Sequence, residues 1–530
     1  MPLNSIGFLF VFLPLCAVLF WHLPRPARVS WAPGFLLAAS VCFYAVNSLA
    51  SLLILLPSVI LDYGIARLIL RAHPARQGLR HSLLIAGVAL NILFLGYFKF
   101  GAVVLATVNQ TLGTSFNAAP AIVPLGISFL VLQKIAFLAD VRSGQVKDLS
   151  FLEYLVFAFF FPRAIAGPII HYQEIAPQIR RPVERDPREH LMVGICLICI
   201  GVFKKSFVAD SLDKYVSPVF STPSSSELFD LYPTLITSWI SLLCYAMQLY
   251  FDFSGYSDMA IGTARLFGIR LPMNFNSPFK ATSIVEYWSR WHITLTRFLT
   301  AYTYTPVVLF LTRRRMKKGA PVLQGKKSKA SAILTIVAVP TFITMILSGL
   351  WHGVGWQFIC WGLLHGFYLT VNQAWKMLRP RFWPDKASYE RVMKPVGLVV
   401  TFFAVILALV FFRAPSVTSA LSIYAGLVGA NGVFPETVQL YHAAGVDTPW
   451  IVMNSKTLIG AVWWLVVLLP AVMLLPNSLA LLSRYQPVLE GELWEGGLVA
   501  SRLAAIVVAV LGVLGVMTLN QGTGFLYGQF

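Results

Sequence analysis

The chain has 530 residues, of which 57% are hydrophobic and 12% are charged, and its mean hydropathy is +0.72. A soluble globular protein carries about 25% charged residues, and this chain has no polar stretch long enough to form a soluble domain. Apolar segments of about 20 residues, the length that crosses a bilayer as a helix, recur along the whole chain instead. The composition excludes a soluble protein and predicts a single membrane-embedded domain over residues 1–530.

The chain is strongly basic: 41 lysines and arginines stand against 22 aspartates and glutamates, which gives a net charge of +19. The basic residues lie in short loops between apolar segments, as they do in the cytoplasmic loops of membrane proteins. A nucleic-acid-binding protein would carry them on a polar surface, interleaved with aromatic residues. We therefore attribute the charge to membrane topology and predict no nucleic-acid partner.

The apolar segments predict an all-α, polytopic transmembrane bundle of about 11–13 spans with additional re-entrant segments. They lie at 5–22, 33–48, 51–70, 82–107, 150–163, 190–210, 232–252, 283–311, 333–349, 353–375, 395–413, 457–476 and 501–519. Segments 119–140 and 253–272 are apolar but interrupted by glycine, proline and polar residues, which is typical of re-entrant or interior segments. Segment 415–430 is equally able to span or to turn back.

Basic loops set the predicted orientation. Basic residues follow the first and third segments and fill the loops 313–329 and 376–394, whereas the stretches near 48–51 and 108–118 carry no charge. This alternation predicts an external N-terminus and four cytoplasmic loops. The first segment lacks the basic start of a signal peptide, so we expect it to be a retained helix. Segments 333–349 and 353–375 then form a helical hairpin whose turn falls at Ser348–Gly353.

The six cysteines lie inside apolar segments, and Cys196 and Cys199 form a CxxC within a predicted helix. No second CxxC accompanies this pair. We therefore predict neither a metal or redox site nor a disulfide framework.

Three of the nine histidines lie deep in apolar segments: His292, His352 and His365. An ionisable residue at membrane depth is costly and therefore suggests a functional site. His352 lies between Gly349 and Gly353, which break the helix, and a histidine on such backbone suits a general base. A structural histidine that bonds a neighbouring helix is the alternative for His352 and His292. We favour the structural interpretation for His365, which adjoins a glycine pair with helix-packing spacing.

An unusually polar stretch, 248–279, carries two carboxylates, Asp252 and Asp258, on either side of a Ser-Gly-Tyr-Ser run. Buried carboxylates need partners, and the nearby arginines are the predicted ones: Arg265, Arg270 and Arg290. A hydrolase with paired carboxylates is conceivable, but an ion-pair network that braces a broken helix fits better. Asn274 and Asn276 have the character of turn residues. From these residues alone, an enzyme and a transporter both remain possible.

Several blocks in a fixed order give the sequence a resemblance to a known family. They are FLFVFLPL near the start, GYFKF at 96–100, PLGISFLVLQ at 124–133, FFFPRAIAGPIIHYQEIAPQI at 159–179, FKKSFVAD at 203–210, QLYFDFSGYSDMAIGTARLFGIRLPMNFNSPF at 248–279, EYWSRWHITLTRFL at 286–299, SGLWHGVGWQFICWGLLHG at 348–366 and VFFRAP at 410–415. With these blocks the chain resembles the membrane-bound O-acyltransferases, and it is most similar to their bacterial branch of alginate O-acetyltransferase type. The core motifs occupy 124–366, and C-terminal helices follow over 395–530.

The resemblance implies transfer of an acyl group, an acetyl group in particular, from a cytoplasmic thioester such as acetyl-CoA to a hydroxyl group. In this branch the acceptor is an exported or cell-envelope polysaccharide. The family's key histidine falls on His352 and its second active-site position on His292. Other residues of the same motifs have expected supporting or substrate-binding roles: Asp252, Tyr256, Asp258, Arg290, Trp291, Trp351 and Asn276.

The resemblance also implies a location and a set of partners. We expect a multi-pass protein of the bacterial inner membrane, with no permanently bound cofactor and with acetyl-CoA or another acyl thioester as its donor substrate. Membrane lipid is a further expected partner, and periplasmic or membrane proteins of an export or acetylation complex are possible ones.

The chain departs from the alginate-type pattern after RWHI, where TLTRFLTAYTYTPVVLFLTRRRMKKG lacks the branch's acidic residue and its glycine-rich turn. Arg163 also stands where the branch has an uncharged residue or histidine. Both departures leave the acceptor and the partner proteins open. The alternatives are an acyltransferase for a lipid or small alcohol, a carrier of acyl groups or polymer, and a scaffold for a secretion complex.

Overall fold

The computed structural model describes residues 2–116, 123–180, 187–220, 233–433, 455–489, 496–519 and 526. Within these ranges every regular element is a helix and no strand is present. The predicted all-α architecture is therefore confirmed.

The helices in chain order are α1 (Leu13–His22), α2 (Arg25–Arg71), α3 (Gln77–Leu112), α4 (Ile127–Ser143), α5 (Phe151–Phe159), α6 (Tyr172–Arg180), α7 (Pro187–Val202), α8 (Asp210–Phe220), α9 (Leu235–Leu266), α10 (Ile284–Arg290), α11 (Ile293–Leu299), α12 (Thr305–Lys317), α13 (Ala330–Ile333), α14 (Val339–His352), α15 (Trp356–Phe382), α16 (Lys386–Arg413), α17 (Val417–Leu427), α18 (Ser455–Leu474), α19 (Ser478–Leu481) and α20 (Arg502–Met517). Four π-helical segments extend or join them: Gly7–Phe12, Phe203–Ala209, Thr300–Tyr304 and Leu334–Ala338. Short 3₁₀ turns lie at Phe161–Arg163, Pro278–Lys280, Gly325–Lys327 and Ser483–Tyr485.

Six helical stretches in the described part of the chain are long and apolar enough to cross a bilayer. They are Ser30–Arg71, Gln77–Leu112, Pro187–Phe220, Ala330–His352, Lys386–Arg413 and Thr457–Leu474, and three shorter apolar helices lie at Gly7–His22, Val417–Leu427 and Arg502–Met517. The chain is a multi-pass membrane protein. The full number of crossings stays a prediction.

Segments 33–48 and 51–70, predicted as two spans, lie in one helix, α2. Ser48, the last residue of the first predicted span, has non-helical backbone angles and kinks this helix. The sequence therefore located a real irregularity, although the chain bends there rather than forming a loop. The predicted span 150–163 contains only the nine-residue helix α5 and a 3₁₀ turn, which is too short to cross a bilayer.

The centre of the chain reverses two expectations. The predicted span 283–311 is broken between α10 and α11, because Trp291 is extended and His292 takes a left-handed conformation, whereas α11 continues through the π-helical segment Thr300–Tyr304 into α12. Segment 253–272 was expected to be broken, yet α9 runs without interruption to Leu266 and is buried along most of its length. Its glycines leave room for the backbone of a neighbouring helix, which approaches α9 closely there. The interior position expected for this segment is confirmed.

Glycine packing draws α7 onto α9. A Cβ atom at Gly201 would meet the carbonyl oxygen of Gly255, and one at Gly262 would meet the carbonyl oxygen of Gly194. Small residues let membrane helices approach this closely, so that van der Waals contact holds them together. This contact places the C-terminal half of α9 at the centre of the bundle.

The carboxylates of α9 pair with lysines and not with the predicted arginines. Lys204 Nζ lies 2.7 Å from Asp258 Oδ2, and Lys205 Nζ lies 2.8 Å from Asp252 Oδ1. Both lysines lie in the π-helical segment that continues α7, which brings them directly against α9. The three arginines bond other groups, namely Glu189 for Arg265, Gln486 for Arg270 and Glu286 for Arg290.

The predicted hairpin is confirmed, because α14 and α15 pack against each other. Its turn lies at residues 353–355 and not at the predicted Ser348–Gly353, since α14 stays helical as far as His352. A Cβ atom at Gly349 would meet the backbone carbonyl of Phe358, and one at Gly362 would meet that of Met345. The glycines thus allow the two helices to lie backbone to backbone. His352 is the last residue of α14 and lies at the base of this turn.

Candidate active site

His352 lies at the end of α14 in an aromatic enclosure and is 3% exposed. Its ring meets Trp361 and Phe412 nearly perpendicularly, with centroids 5.1 Å away in each case, and Trp351 at 4.9 Å. Three helices supply these walls: α14, α15 and α16. Packing against these rings holds the His352 side chain. The backbone that follows it, in the glycine turn, is no longer helical.

His292 lies at the break between α10 and α11 and is fully buried. It is the N-cap of α11, with φ 43° and ψ 52°, a conformation that costs a non-glycine residue of order 1 kcal/mol or more and is common at functional sites. Asn274 stabilises the break, because its backbone carbonyl accepts the N–H of Ile293 at 3.0 Å. Its side-chain Oδ1 lies 3.0 Å from His292 Nδ1.

The structure brings the two predicted catalytic histidines to one indole. Trp351 is close to both, with ring centroids 6.2 Å from His292 and 4.9 Å from His352. The indole N–H donates to the carbonyl of Ser128 at 3.3 Å, and Phe129 packs on the same indole at 5.3 Å. Since α4, α11 and α14 all meet at Trp351, their relative placement fixes how the two imidazoles face each other.

Three other predicted residues surround the His292 break. The backbone N–H of Asn276 donates to the carbonyl of Arg290 at 2.9 Å, and the guanidinium of Arg290 donates to the carbonyl of Asn276 at 3.1 Å. Trp291 packs on Phe275 at 5.0 Å. These contacts place Asn276, Arg290 and Trp291 as a brace on which the His292 conformation depends.

The remaining predicted residues lie on α9 and face away from the break. The carboxylates of Asp252 and Asp258 face the lysines described above, and the Tyr256 hydroxyl faces the backbone of Ala166. A different face of α9 contacts the histidine: Phe253 meets the His292 ring at 4.8 Å, and Ser257 accepts a bond from Asn274 at 3.2 Å. These two residues are four apart and therefore on one helix face.

Sequence reasoning missed Asn274 as a site residue, and also Trp361 and Lys99. Trp361 joins the ring of His352 to that of His365, 4.8 Å away, so the buried histidine interpreted as structural borders the same enclosure. Lys99 lies in the GYFKF block and donates to the carbonyls of Trp351 and His352. A lysine in an otherwise apolar span was the signal that could have identified it.

A cavity of about 970 Å³ lies beside α11, on the side of Arg297. Its polar wall holds two paired groups: Arg297 bonds Glu174 at 3.0 Å, and Asp140 accepts the hydroxyl of Tyr302 at 2.6 Å and lies 3.2 Å from His171 Nδ1. Its other wall is apolar and includes Leu84, Val88, Ile135, Ala139, Ala301 and Pro306. Within the described ranges no group of three histidine, cysteine or carboxylate side chains could hold a metal ion.

Known proteins and a known protein family are similar to this chain in sequence. The sequence pattern of the MBOAT, membrane-bound O-acyltransferase, family matches residues 127–323, a range that includes the His292 break. A peptidoglycan O-acetyltransferase of Helicobacter pylori is 35% identical over 457 residues, which cover 81% of this chain and 80% of that protein. A probable alginate O-acetylase of Azotobacter vinelandii is 32% identical over 438 residues, covering 81% and 78%.

A more distant relative is a teichoic acid D-alanyltransferase of Streptococcus thermophilus, 28% identical over 300 residues that cover 54% of this chain and 68% of that protein. The similarity to the first two relatives extends over four-fifths of the chain and is therefore not confined to a single motif. The chain belongs to the membrane-bound O-acyltransferase family and is an acyltransferase.

Proposed function

We propose that this protein transfers an acyl group, an acetyl group in particular, from a cytoplasmic thioester donor to a hydroxyl group of an exported or cell-envelope polysaccharide. Acetyl-CoA is the donor that we favour. The proposal also places the protein in the inner membrane of a bacterium, where a donor on one side and a polymer on the other can both reach a buried site.

The names of the relatives support a polymer acceptor. Peptidoglycan, alginate and teichoic acid, named for the three relatives, are all polymers that carry hydroxyl groups. Two of the three names specify an acetyl group and the third a D-alanyl group. The acyl group therefore varies less among these names than the polymer does, and acetyl transfer is the favoured reaction for this chain.

The observation that carries the proposal is the placement of His352 and His292 near the same indole, that of Trp351, with both histidines buried and both at helix ends. Acyl transfer to a hydroxyl needs a base that takes the hydroxyl proton as the new bond forms. His352 has this role in our proposal. Its aromatic enclosure excludes water, which would otherwise compete with the acceptor for the acyl group.

The proposed reaction proceeds in two steps. His352 takes the proton of the acceptor hydroxyl while its oxygen attacks the thioester carbonyl carbon, which gives a tetrahedral oxyanion. The intermediate collapses with cleavage of the carbon–sulfur bond, and the protonated imidazole returns its proton to the departing thiolate. The products are the O-acylated polymer and the free thiol, and the histidine is regenerated.

His292 is the proposed partner of His352. Its Nδ1 atom faces an amide oxygen, so the neutral ring carries its N–H there and its lone pair on Nε2. An Nε2 lone pair can accept a hydrogen bond from the acceptor sugar or from the donor's amide groups. In this role His292 orients a substrate and does not itself move the proton.

The cavity beside α11 is the proposed entry for the donor. Arg297 in its wall lies five residues after His292, about 7.5 Å along the helix axis. Leu84 in its other wall lies four residues after Arg80, near the end of α3 that the basic loops assign to the cytoplasm. The paired polar groups and the apolar wall suit a flexible chain that carries amide groups, such as the arm of a CoA thioester.

The same assay tests two alternative acceptors. An acyltransferase for a lipid would label lipid instead of the glycan. An acyltransferase for a small alcohol would label that alcohol.

The test uses the purified protein in nanodiscs with acetyl-labelled acetyl-CoA and a panel of glycans, lipids and small alcohols. Free CoA and labelled product are followed for the wild type, for His352→Ala and for His81→Ala, which alters an exposed histidine on α3. Label on a glycan hydroxyl in the wild type and in His81→Ala, but not in His352→Ala, is the expected result. Label on lipid alone would favour the first alternative. Absence of CoA release from folded protein supplied with neighbouring envelope proteins would overturn the enzyme mechanism.

A further inference from the structure

The carbonyl groups at the end of α14 need partners that the helix itself cannot supply. The last four carbonyls of any helix lack an N–H donor from the following turn, and inside a membrane no water replaces it. In α14 the N–H of Gly353 still bonds the carbonyl of Gly349 at 3.2 Å. Beyond this point the backbone is extended at Gly353, with φ −163°, which leaves the carbonyls of Trp351 and His352 outside the helical ladder.

Lys99 supplies the missing donors from another helix. Its Nζ atom donates to the carbonyl of His352 at 3.1 Å and also to the carbonyl of Trp351. An ammonium group at the C-terminal end of a helix is doubly favourable, because it bonds open carbonyls and faces the negative end of the helix dipole. One lysine thus bonds the residue that carries the proposed base and the residue whose indole is close to both histidines.

A lysine in this apolar part of α3 is energetically costly, so its contact with α14 points to a function. Only 6% of the residues in an apolar 18-residue stretch of α3 are buried, so this helix lies at the periphery of the bundle. Lys99 lies about 33 Å from the first residue of α3 and about 20 Å from its last, within the apolar run ILFLGYFKFGAVVL. A lysine that only covered apolar surface would extend its ammonium toward water, whereas this one points inward to α14.

We propose that Lys99 is a positioning residue for His352: it fixes the backbone at the end of α14 and thereby sets the direction of the His352 imidazole in acyl transfer. The inference rests on the proposed role of His352 as the base. Lys99 bonds backbone only and is distinct from the groups that touch the reacting atoms. Since a misplacement of about 1 Å can lower a rate by about a hundredfold, losing both bonds should affect turnover before substrate binding.

The test compares three variants in the labelled-donor assay. Lys99→Met removes the donors at similar size, Lys99→Arg keeps them, and Lys280→Met is the matched control, because the Lys280 ammonium also donates to helix-end carbonyls, those of Leu474 and Leu475 at the end of α18 instead of those of α14. We expect Lys99→Met to lower kcat roughly 10- to 100-fold with KM for the donor nearly unchanged. Lys99→Arg should recover most of kcat, and Lys280→Met should keep it.

A second measurement does not depend on activity. Amide hydrogen exchange of the peptide over residues 349–355 should be faster in Lys99→Met than in the wild type, while exchange in α9 stays the same. Unchanged exchange at 349–355 would overturn the inference, even if no donor and acceptor pair has yet shown turnover. An unchanged kcat in Lys99→Met would overturn the inference as well. So would a loss of activity that the fraction of unfolded protein fully explains. If the wild type shows no acyl transfer but exchange at 349–355 still differs between the wild type and Lys99→Met, the result would count against the proposed function alone.

Discussion

The Nδ1 atom of His292 lies 3.0 Å from the Oδ1 atom of Asn274. The same oxygen accepts the hydroxyl of Thr294 at 2.9 Å, while the amide nitrogen of Asn274 donates to Ser257 at 3.2 Å. These contacts orient the amide, so the oxygen faces the imidazole and holds the proton of the neutral ring on Nδ1. Asn274 therefore sets both the tautomer and the position of His292.

We expect Asn274→Ala to lower kcat about tenfold or more, because the imidazole loses its fixed orientation. Asn274→Asp keeps an acceptor at the same position and should retain more activity than alanine. The measurement is the steady-state rate of CoA release. Asn47→Ala is the control, since Asn47 on α2 bonds the carbonyl of Phe43 in its own helix. Equal rates for Asn274→Ala and Asn47→Ala would contradict the role assigned to Asn274.

We expect His352→Gln to lower turnover by about 10²- to 10⁴-fold, the usual contribution of a general base. Glutamine can fill the aromatic enclosure and form hydrogen bonds, but it cannot take a proton at neutral pH. The unfolding temperature should stay close to that of the wild type. Wild-type turnover in His352→Gln would argue against base catalysis.

The sequence predicted the helical class and the helical hairpin because both depend on local signals. Apolar runs of membrane length define helices one by one, and the glycines around His352 mark the turn between α14 and α15. The prediction of one continuous span over 283–311 was wrong, because hydropathy does not reveal a single residue in the left-handed conformation. His292 adopts that conformation through bonds from Asn274, 18 positions earlier, which no local pattern contains.

The two catalytic candidates could be predicted because a histidine in an apolar segment is costly wherever it occurs. Their meeting at Trp351 could not, since it requires three helices from distant parts of the chain. The partners of Asp252 and Asp258 were assigned wrongly for the same reason. Arginines near them in sequence were preferred, whereas lysines about 50 positions earlier are near them in space.

We expect Gly349→Ala to destabilise the protein by about 1–3 kcal/mol, because the added methyl group would meet the backbone carbonyl of Phe358 and force α14 from α15. The measurement is thermal unfolding in detergent, followed by intrinsic fluorescence. Gly64→Ala on α2 is the matched control, since nothing lies within 4 Å of its added Cβ atom and alanine is the better helix former. Similar unfolding temperatures for the two variants would contradict close packing at the hairpin.

The ion pair between Lys204 and Asp258 should be stabilising only as a pair. We expect Asp258→Leu or Lys204→Met alone to cost about 3–5 kcal/mol, because each leaves a buried charge without its partner. Ser478 also bonds Asp258 at 2.7 Å and Lys204 at 2.9 Å, which adds to the cost of either change.

The double variant Lys204→Met/Asp258→Leu should cost less than the sum of the two single changes, because it removes both charges together. Glu390→Gln is the control, since its pair with Lys386 is mostly exposed, with side chains 60% and 75% accessible, and such pairs contribute about 0–1 kcal/mol. Unfolding of all four variants would be measured under the same detergent conditions. Additive single effects would mean that Lys204 and Asp258 stabilise α9 independently, and the ion pair would then not be what braces the centre of the bundle.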